Sequence, residues 1–232
     1  MSDALPIYSV TPFTMLDFPG RTACIIWFSG CNMRCEYCHN PQIVKGRGRQ
    51  SLEKVLAFLE KRKGLLDGIV LSGGEASVYP ALPDFIRQVR SMGYAVKLDT
   101  NGLRPDIVRN FIDDNFIDYI ALDYKAPPEK FKRVTGVDKF FLFSETLNLL
   151  CEQKDVPFEV RTTVHTGLMN ERDIAAIVSD LDKRFYQGTY FIQNFRNDND
   201  RPTLGNLPPQ KRILDIDSLP ASRNFQISYR NF

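Results

Sequence analysis

The feature that most constrains this chain is a group of three cysteines within eight residues, in the run GCNMRCEYCHNP at 30 to 41. Three residues separate Cys31 from Cys35, and two separate Cys35 from Cys38. Thiolates this close in sequence can converge on one metal centre if the loop turns their sulfurs inward. Because the group is odd in number and no signal peptide is recognisable, the pattern predicts metal binding in a reducing compartment, and not disulfides.

The identity of the metal follows from the ligand count. A structural zinc site takes four ligands, often as two separated pairs, and no second pair is present. His39 could be a fourth ligand, but it directly follows Cys38, and adjacent residues rarely reach one tetrahedral ion together. A cysteine-held iron–sulfur cluster fits better, and three thiolates on four irons leave one iron open to a ligand. Cys24, in an apolar strand, and Cys151, in a helical pattern, are interpreted as buried small hydrophobic residues.

Strand-length apolar runs alternate with amphipathic segments of helix length, which predicts βα units around a parallel sheet. Six strands are predicted at 22–28, 67–72, 94–100, 118–124, 158–164 and 189–195. Helices are predicted after Ser51, around Leu82, from Pro105, near 144–154 after a longer loop, and after Asn170. A short strand at 225–230 is a candidate, and the rest of the final forty or so residues shows no clear pattern. Six strands are too few for an eight-stranded barrel, so we predict an α/β fold with an open, partial barrel.

The chain of 232 residues suits one domain, and we predict a single domain over 1–232 with its core at about 18–195 and an extension at 196–232. The composition is 43% hydrophobic and 25% charged with a formal net charge of +2, which supports neither a nucleic-acid nor a membrane role. No apolar run has the length of a membrane span, and MSDALPIYSV does not look like a secretion signal, so we expect a cytoplasmic protein. The polar stretches at 45–49 and 196–212 are interpreted as solvated loops that could border a docking surface.

Charged residues lie inside the later predicted strands, where a parallel sheet is usually almost continuously apolar. Alternate residues of a strand point to the same side. The sets that share a side are Lys97 with Asp99, Asp123 with Lys125, and Arg161 with Thr163 and His165. Because barrel enzymes place their sites at the carboxyl ends of strands, we predict a polar cavity there. Structural ion pairs or exposed strand ends are the alternatives, and for His165 a structural role is an equal alternative to catalysis.

The cysteine spacing, with aromatic Tyr37 before the last cysteine, resembles the signature of radical S-adenosylmethionine enzymes. Together with DFPG at 17–20, it is similar to the activating enzymes of glycyl radical enzymes, and most closely to the activators of anaerobic ribonucleotide reductase. The resemblance implies a partial (β/α)6 TIM-type barrel and a [4Fe–4S] cluster on Cys31, Cys35 and Cys38, whose open iron is chelated by S-adenosylmethionine. One electron would cleave this cofactor to methionine and a 5′-deoxyadenosyl radical, which takes a hydrogen from a glycine of the partner.

The resemblance also implies a set of cofactor-binding residues. SGGE at 72–75 resembles the family's GGE motif, whose backbone contacts the methionine amino group; from the residues alone, a glycine turn can also cradle an anion or be only a turn. DTNG at 99–102, the Asp-Tyr-Lys run at 123–125 and Arg161 resemble further family motifs. The predicted pocket contains Tyr37, Gly73, Gly74, Glu75, Asp99, Thr100, Asp123, Lys125 and Arg161. Tyr37 could equally be a packing residue. Asp99 and Asp123 could also bind a monovalent cation, and His39 and Asn40 are expected to fix the loop by local hydrogen bonds.

The expected partners are a glycyl radical enzyme, namely anaerobic ribonucleotide reductase, and a flavodoxin- or ferredoxin-type electron donor, with no nucleic acid and no membrane. A radical enzyme acting on a small metabolite or RNA is one alternative, and near-neutral charge disfavours only RNA. A single-cluster electron carrier is another, although it would not need a large barrel with a polar mouth. Some activators have an inserted domain with further clusters, but Cys24 and Cys151 alone could not hold one, so we expect one cluster.

Overall fold

The structure, a computed structural model, describes residues 5–196 and 202–232 and is built on one eight-stranded sheet. The strands lie side by side in chain order. β1 is antiparallel to β2, and every later strand is parallel to its neighbour. They are β1 Ile7–Thr14, β2 Ala23–Phe28, β3 Gly68–Gly73, β4 Ala95–Thr100, β5 Tyr119–Asp123, β6 Phe158–Val164, β7 Thr189–Asn194 and β8 Gln226–Arg230. Since β1 and β8 are the two edges, the sheet is open, and the predicted α/β fold with a parallel sheet is confirmed.

The helices follow the strands as βα units. They are α1 Pro41–Val44, α2 Leu52–Arg62, α3 Leu82–Ser91, α4 Pro105–Asp113, α5 Pro128–Thr135, α6 Phe140–Glu152 and α7 Glu171–Lys183. Local signals set several of their starts. The Ser51 side chain accepts a hydrogen bond from the Lys54 amide, and Asn170 forms a capping box with Asp173. Among the residues described, no helix combines the length and apolar character that crossing a membrane requires.

Besides the single-turn α1, which was not predicted, two elements differ from the prediction. β1 was not predicted, because its run IYSVTPFT has no regular alternation of apolar and polar residues and contains Pro12. Proline is tolerated here because β1 is an edge strand. α5 was predicted as a loop, because only eight residues form it and its buried apolar side chains are few, chiefly Phe131 and Val134. The candidate strand at 225–230 is β8, which extends the sheet beyond β7.

The sheet has apolar side chains on both faces and therefore contributes to two cores. The outer face packs against the helices in the larger core, with residues such as Ile26, Leu71, Leu98 and Leu122. On the inner face, the amino-terminal ends of the strands enclose a smaller core of Phe18, Ala23, Ile25, Val70 and Ala95. Phe18 comes from the DFPG turn between β1 and β2 and is only 2% exposed. The barrel is thus filled by apolar side chains at its amino end, which leaves the carboxyl end for polar groups.

Candidate active site

A cavity of about 230 Å³ lies at the carboxyl ends of β2 to β6, with the cysteine loop as one wall. The structure brings every predicted site residue to this cavity. They are Cys31, Cys35, Tyr37, Cys38, Gly73, Gly74, Glu75, Asp99, Thr100, Asp123, Lys125 and Arg161. Residues from the ends of four strands, β3 to β6, and from the cysteine loop therefore meet in one place.

Neighbouring segments hold the backbone of the cysteine loop from two sides. The end of α5 supplies two carbonyl acceptors, and the segment after residue 202 supplies two amide donors. The bonds are Arg34 N to Thr135 O (2.7 Å), Glu36 N to Val134 O (3.1 Å), Leu204 N to Cys38 O (2.9 Å) and Gly205 N to Glu36 O (2.9 Å). The histidine after Cys38 adds a contact, because the His39 ring stacks on Phe195 with centroids 4.4 Å apart. The loop is fixed by tertiary contacts and not only by the local bonds expected for it.

The thiols of the loop lie in a setting suited to a metal. Burial raises the pKa of the Cys31 thiol to about 11 and that of Cys35 to about 12, so a bound cation would be needed to keep them as thiolates near neutral pH. The Met33 amide N–H lies 3.4 Å from the Cys31 sulfur and can donate to it. Within residues 5–196 and 202–232, no three His, Cys, Asp or Glu side chains are close enough to hold a single metal ion. A four-iron cluster is wider than one zinc ion and needs only three thiolates here.

A network of three cations and three carboxylates lines the inner face below the cysteine loop. Its members are Lys97, Lys125, Arg161, Asp99, Asp123 and Glu159. Arg161 is central: its Nε lies 3.0 Å from Asp123 Oδ1 and its Nη2 lies 3.5 Å from Asp99 Oδ2. Lys97 Nζ is 2.7 Å from Asp99 Oδ1, and Lys125 Nζ is 3.0 Å from Asp123 Oδ2. The structure shows both the predicted polar cavity and the alternative of structural ion pairs, because these charged side chains pair with one another at the cavity wall.

The network favours the ionised forms of its members. Burial by itself raises the pKa of the Asp123 carboxyl, but Arg161 and Lys125 outweigh burial and hold it at about 2. Burial lowers the pKa of the Lys125 amine, yet Asp123 more than compensates and places it well above its usual range. The monovalent cation expected at Asp99 and Asp123 is not supported, because protein cations already neutralise both carboxylates.

The SGGE turn is shaped by close backbone contacts. Gly73 has φ +118°, which L side chains rarely adopt, and a Cβ atom on Gly74 would lie 1.6 Å from the Gly30 carbonyl oxygen. The Gly74 amide donates to Phe28 O (2.8 Å) and the Glu75 amide to Gly30 O (2.9 Å). Because these N–H groups are occupied, the interpretation of the turn as an anion cradle is wrong. A ligand at this turn would use carbonyl oxygens, which suits an amino group.

Glu75 braces the cavity. Its carboxylate is 1% exposed and accepts hydrogen bonds from Ser77 Oγ (2.6 Å), Thr100 Oγ1 (2.9 Å), the Asn101 amide (2.7 Å) and the Ser77 amide (3.3 Å). Burial raises the pKa of this carboxyl, and the donors oppose that effect. With its acceptor sites used by the protein, Glu75 joins the turn after β3 to the end of β4. Thr100 is likewise engaged, because it donates to Glu75 and accepts from the Gly102 amide.

Two residues that sequence reasoning missed complete this part of the wall. Asn101 Nδ2 donates to Asn32 Oδ1 (2.7 Å) and lies 3.8 Å from the Cys31 sulfur, which links β4 to the cysteine loop. Ser72 Oγ donates to Asp99 Oδ2 (3.0 Å). Both belong to motifs that were recognised, SGGE and DTNG, so the signal was present, but only the tertiary structure shows what these side chains contact.

Tyr37 has an unsatisfied polar group. The residue is 5% exposed, and its hydroxyl makes no hydrogen bond within the part of the chain described. Lys125 Nζ lies 5.9 Å from the centre of its ring. A buried hydroxyl without a hydrogen-bond partner costs free energy. Because Tyr37 lies in the cavity wall, a polar ligand in the cavity could form the missing hydrogen bond and remove this cost.

Three residues considered at the sequence level lie outside the cavity lining. His165 follows the end of β6, so the strand alternation no longer applies to it. Its Nε2–H donates to Pro208 O (3.0 Å) and its Nδ1 accepts from the Gly167 amide (3.1 Å), which is a satisfied structural role. Cys24 is buried in β2, and Cys151 lies in α6.

Comparison with known proteins adds independent findings. The model of the radical SAM superfamily matches residues 25–181. A Methanocaldococcus jannaschii protein, provisionally named a glycyl-radical enzyme activating enzyme, is 31% identical over 82% of this chain and 79% of its own length. A 7-carboxy-7-deazaguanine synthase of Methanopyrus kandleri is 31% identical over 47% of this chain and 52% of its own. The pyruvate formate-lyase-activating enzyme of Clostridium pasteurianum is 31% identical over 57% of this chain and 58% of its own.

Among solved structures, native anSMEcpe with bound AdoMet matches with a TM-score of 0.58 and 18% identity. The match covers 72% of this chain and 49% of that one. At this identity the likeness concerns the fold alone, and it agrees with the open, parallel sheet described above.

Proposed function

The chain belongs to the radical SAM superfamily, and we propose that it activates a glycyl radical enzyme in the cytoplasm, with anaerobic ribonucleotide reductase as its target. It is an enzyme of a family that uses a [4Fe–4S] cluster and S-adenosylmethionine. For these groups the cavity offers three thiols and, within the described residues, a buried tyrosine hydroxyl without a hydrogen-bond partner. When bound, these groups supply a carbon-centred radical from reductive cleavage of S-adenosylmethionine. We also propose that the chain works as one domain, since β8 belongs to the same sheet as β1.

The observation that carries the proposal is the open side of the barrel. The cavity wall is built from β2 to β6 and the cysteine loop, and Trp27 is the residue that β2 contributes. No strand residue of β1, β7 or β8 lines it. The sheet register directs Phe191 and Gln193 of β7, and Ser228 and Arg230 of β8, to the same inner side as Arg161. The barrel is open between β1 and β8, because these two edge strands do not pair with each other. A loop of a folded polypeptide can approach the cavity there.

In this proposal the chain's residues divide the work. Cys31, Cys35 and Cys38 would hold the cluster. Lys125 uses one hydrogen bond to Asp123 and has further N–H donors for a ligand carboxylate, and Arg161 keeps its carboxylate partners in place. The carbonyl oxygens of the SGGE turn suit the cofactor's amino group, and Tyr37 offers its unpaired hydroxyl. Glu75, Thr100 and Asn101 hold the turn, β4 and the cysteine loop in register.

A second candidate function has support from one finding. One similar protein is named a 7-carboxy-7-deazaguanine synthase, which is the name of an enzyme with a small-molecule product. That match covers about half of this chain, whereas the match to the M. jannaschii protein covers most of both chains. The more complete match favours the polypeptide substrate.

The test uses the reconstituted protein, reductant, S-adenosylmethionine and the anaerobic ribonucleotide reductase of the same source. We expect a glycyl radical on the reductase, seen as a doublet in electron paramagnetic resonance whose splitting collapses when the glycine α-hydrogens are deuterated. Cys35→Ala should give no signal and Cys151→Ala a full one. Consumption of a small metabolite in proportion to S-adenosylmethionine, without a glycyl signal, would overturn the activase assignment and leave the family assignment intact.

A further inference from the structure

A strongly basic loop borders the cysteine loop. We define the basic loop as residues 45–49, KGRGR, which contains Lys45, Arg47 and Arg49. No acidic residue occurs from position 37 to position 52. All three cationic side chains are exposed, and within the described residues none of them forms an ion pair. By contrast, the cations of the cavity wall are all paired. The basic loop is therefore an uncompensated positive face.

The basic loop is held in a defined shape. Lys45 N donates to Pro41 O (3.0 Å) at the end of α1, and Arg49 N donates to Ile7 O (2.7 Å) of β1. The glycines between the cations lie against the protein. A Cβ atom on Gly46 would meet Gln42 O at 2.2 Å, and one on Gly48 would meet Pro6 Cα at 2.9 Å. The loop thus turns its glycine backbone inward and leaves its cationic side chains exposed, with the Arg49 guanidinium 4.3 Å from the centre of the Tyr8 ring.

The basic loop is also close to the cluster ligands. Val44, the residue before it, lines the cavity, and Ile43 O accepts a hydrogen bond from Gly30 N (2.9 Å), directly before Cys31. The exposed Arg34 adds a fourth cation on the cysteine loop itself, where its Nη1 donates to Cys31 O (2.6 Å). A partner seated on this face would stand next to the cluster.

The site needs an electron that the chain does not supply. Apart from the three proposed ligands, the chain contains only Cys24 and Cys151, and two cysteines are too few to hold a second cluster of this kind. The electron must come from a separate carrier. We propose that the basic loop, together with Arg34, is the docking site of an acidic one-electron carrier protein. The carrier loses one electron and the cluster gains it, and no covalent bond changes. The inference rests on the cluster chemistry of the proposed function and not on the choice of glycyl target.

A binding measurement tests the proposal with fluorescently labelled flavodoxin as the probe. The variant Lys45→Glu, Arg47→Glu, Arg49→Glu is compared with Arg109→Glu, Lys154→Glu, Lys183→Glu. The control reverses three exposed cations, on α4, after α6 and in α7, that form no ion pair with any residue of the described ranges. Both variants change the net charge equally. We expect the dissociation constant, measured by anisotropy at low salt, to rise by about tenfold or more for the first variant only, and the difference to shrink at high salt.

Reduction kinetics give a second measurement. Stopped-flow absorbance follows the cluster after mixing with flavodoxin hydroquinone, or after photoreduction with 5-deazariboflavin, a small reductant that needs no docking. The basic-loop variant should lose rate with flavodoxin only. Equal binding by wild type and variant, or equal losses in both triple variants, would overturn the proposal. The proposal would also be overturned if the basic-loop variant kept its binding and reduction by flavodoxin but no longer bound tRNA, because the loop would then be a nucleic-acid contact. Glycyl radical formation with the photoreductant remains a separate test of the proposed function.

Discussion

A Cβ atom on Gly68 would stand 2.8 Å from Cε1 of Phe18, so the phenylalanine ring occupies the space that this glycine leaves free. The ring closes the amino end of the barrel. We expect Phe18→Ala to lower the free energy of unfolding by about 3–5 kcal/mol, because it opens a cavity in a core of few residues. Urea denaturation measures this. Phe13→Ala is the control, since Phe13 is 53% exposed and should change stability little. Equal effects at both positions would contradict the role given to Phe18.

The ligand assignment predicts iron content. Reconstituted wild type should contain about four irons per chain, and Cys31→Ala, Cys35→Ala or Cys38→Ala should lose most of them. Cys24→Ala and Cys151→Ala are the controls and should keep the full content, because neither residue reaches the cavity. Iron assay with the visible spectrum measures the outcome. One tightly bound zinc per chain, with little iron, would refute the cluster.

The only tryptophan of the chain reports on the cavity. Trp27 lines it, and its Nε1–H donates to Thr11 Oγ1 (2.9 Å). S-Adenosylmethionine should therefore change the tryptophan emission of the reconstituted protein. Lys125→Met should have the same tryptophan emission as wild type before S-adenosylmethionine is added. Its titration midpoint should rise to an S-adenosylmethionine concentration about tenfold higher or more, equivalent to about 1.4 kcal/mol of binding free energy. An unshifted midpoint would assign Lys125 to ion pairing with Asp123 alone.

Glu75 should be important for stability, because its buried carboxylate accepts four hydrogen bonds from neighbouring segments. Glu75→Ala removes the acceptor of four hydrogen bonds and leaves buried donors unpaired, so we expect a loss of about 3–5 kcal/mol in the free energy of unfolding. Glu75→Gln keeps the shape but turns one acceptor into a donor, and about 1–3 kcal/mol should be lost. Chemical denaturation measures both. Glu145→Gln, at an exposed carboxylate in α6, should have no measurable effect. If Glu75→Ala were as stable as wild type, the proposed role of Glu75 in joining the turn after β3 to the end of β4 would be wrong.

An ion pair that ties the C-terminal segment to α7 predicts a pH dependence. Hydrogen bonds from Arg212 (2.6 and 3.0 Å) and the Asp215 amide (2.9 Å) lower the pKa of Glu171 from 4.5 to about 2. A lowered pKa in the folded state gives stability that is present above the unfolded value and is lost as the pH falls towards 2. Glu171→Gln should therefore lower the melting temperature at pH 6, and its difference from wild type should shrink below about pH 4.

Calorimetry at a series of pH values measures this difference. Glu129→Gln is the control, because Glu129 is exposed on α5 and forms no ion pair in the described part of the chain. A gap between Glu171→Gln and wild type that stays constant from pH 6 to pH 3 would rule out titration of Glu171 as its cause.

Much of the fold could be predicted because its signals are local. Strand runs such as FEVRTTV and cap residues such as Ser51 and Asn170 act within a few positions, and the corresponding elements start or end within a few residues of their predictions. β1 and α5 could not be predicted in this way. β1 exists because it pairs with β2, and α5 because its few apolar residues reach the core, and neither condition leaves a periodic pattern.

The candidate site divides along the same line. The residue types at the cavity could be predicted from strand ends and motifs, but their partners could not. Glu75 was expected to bind cofactor, yet its four donors come from positions 77, 100 and 101. His165 was placed with Arg161 by alternation, although β6 ends one residue before it. Which polar atoms are satisfied depends on neighbours that only the folded chain brings near.

The two amides that Leu204 and Gly205 donate to the cysteine loop set an order of events during synthesis. The ribosome makes Cys31, Cys35 and Cys38 early, long before residues 204 and 205 leave the exit tunnel. The loop can reach its final backbone shape only after these later residues have joined Cys38 O and Glu36 O. We therefore expect iron delivered to a nascent chain to meet an unfinished site, and cluster insertion to follow the synthesis of residues 204 and 205.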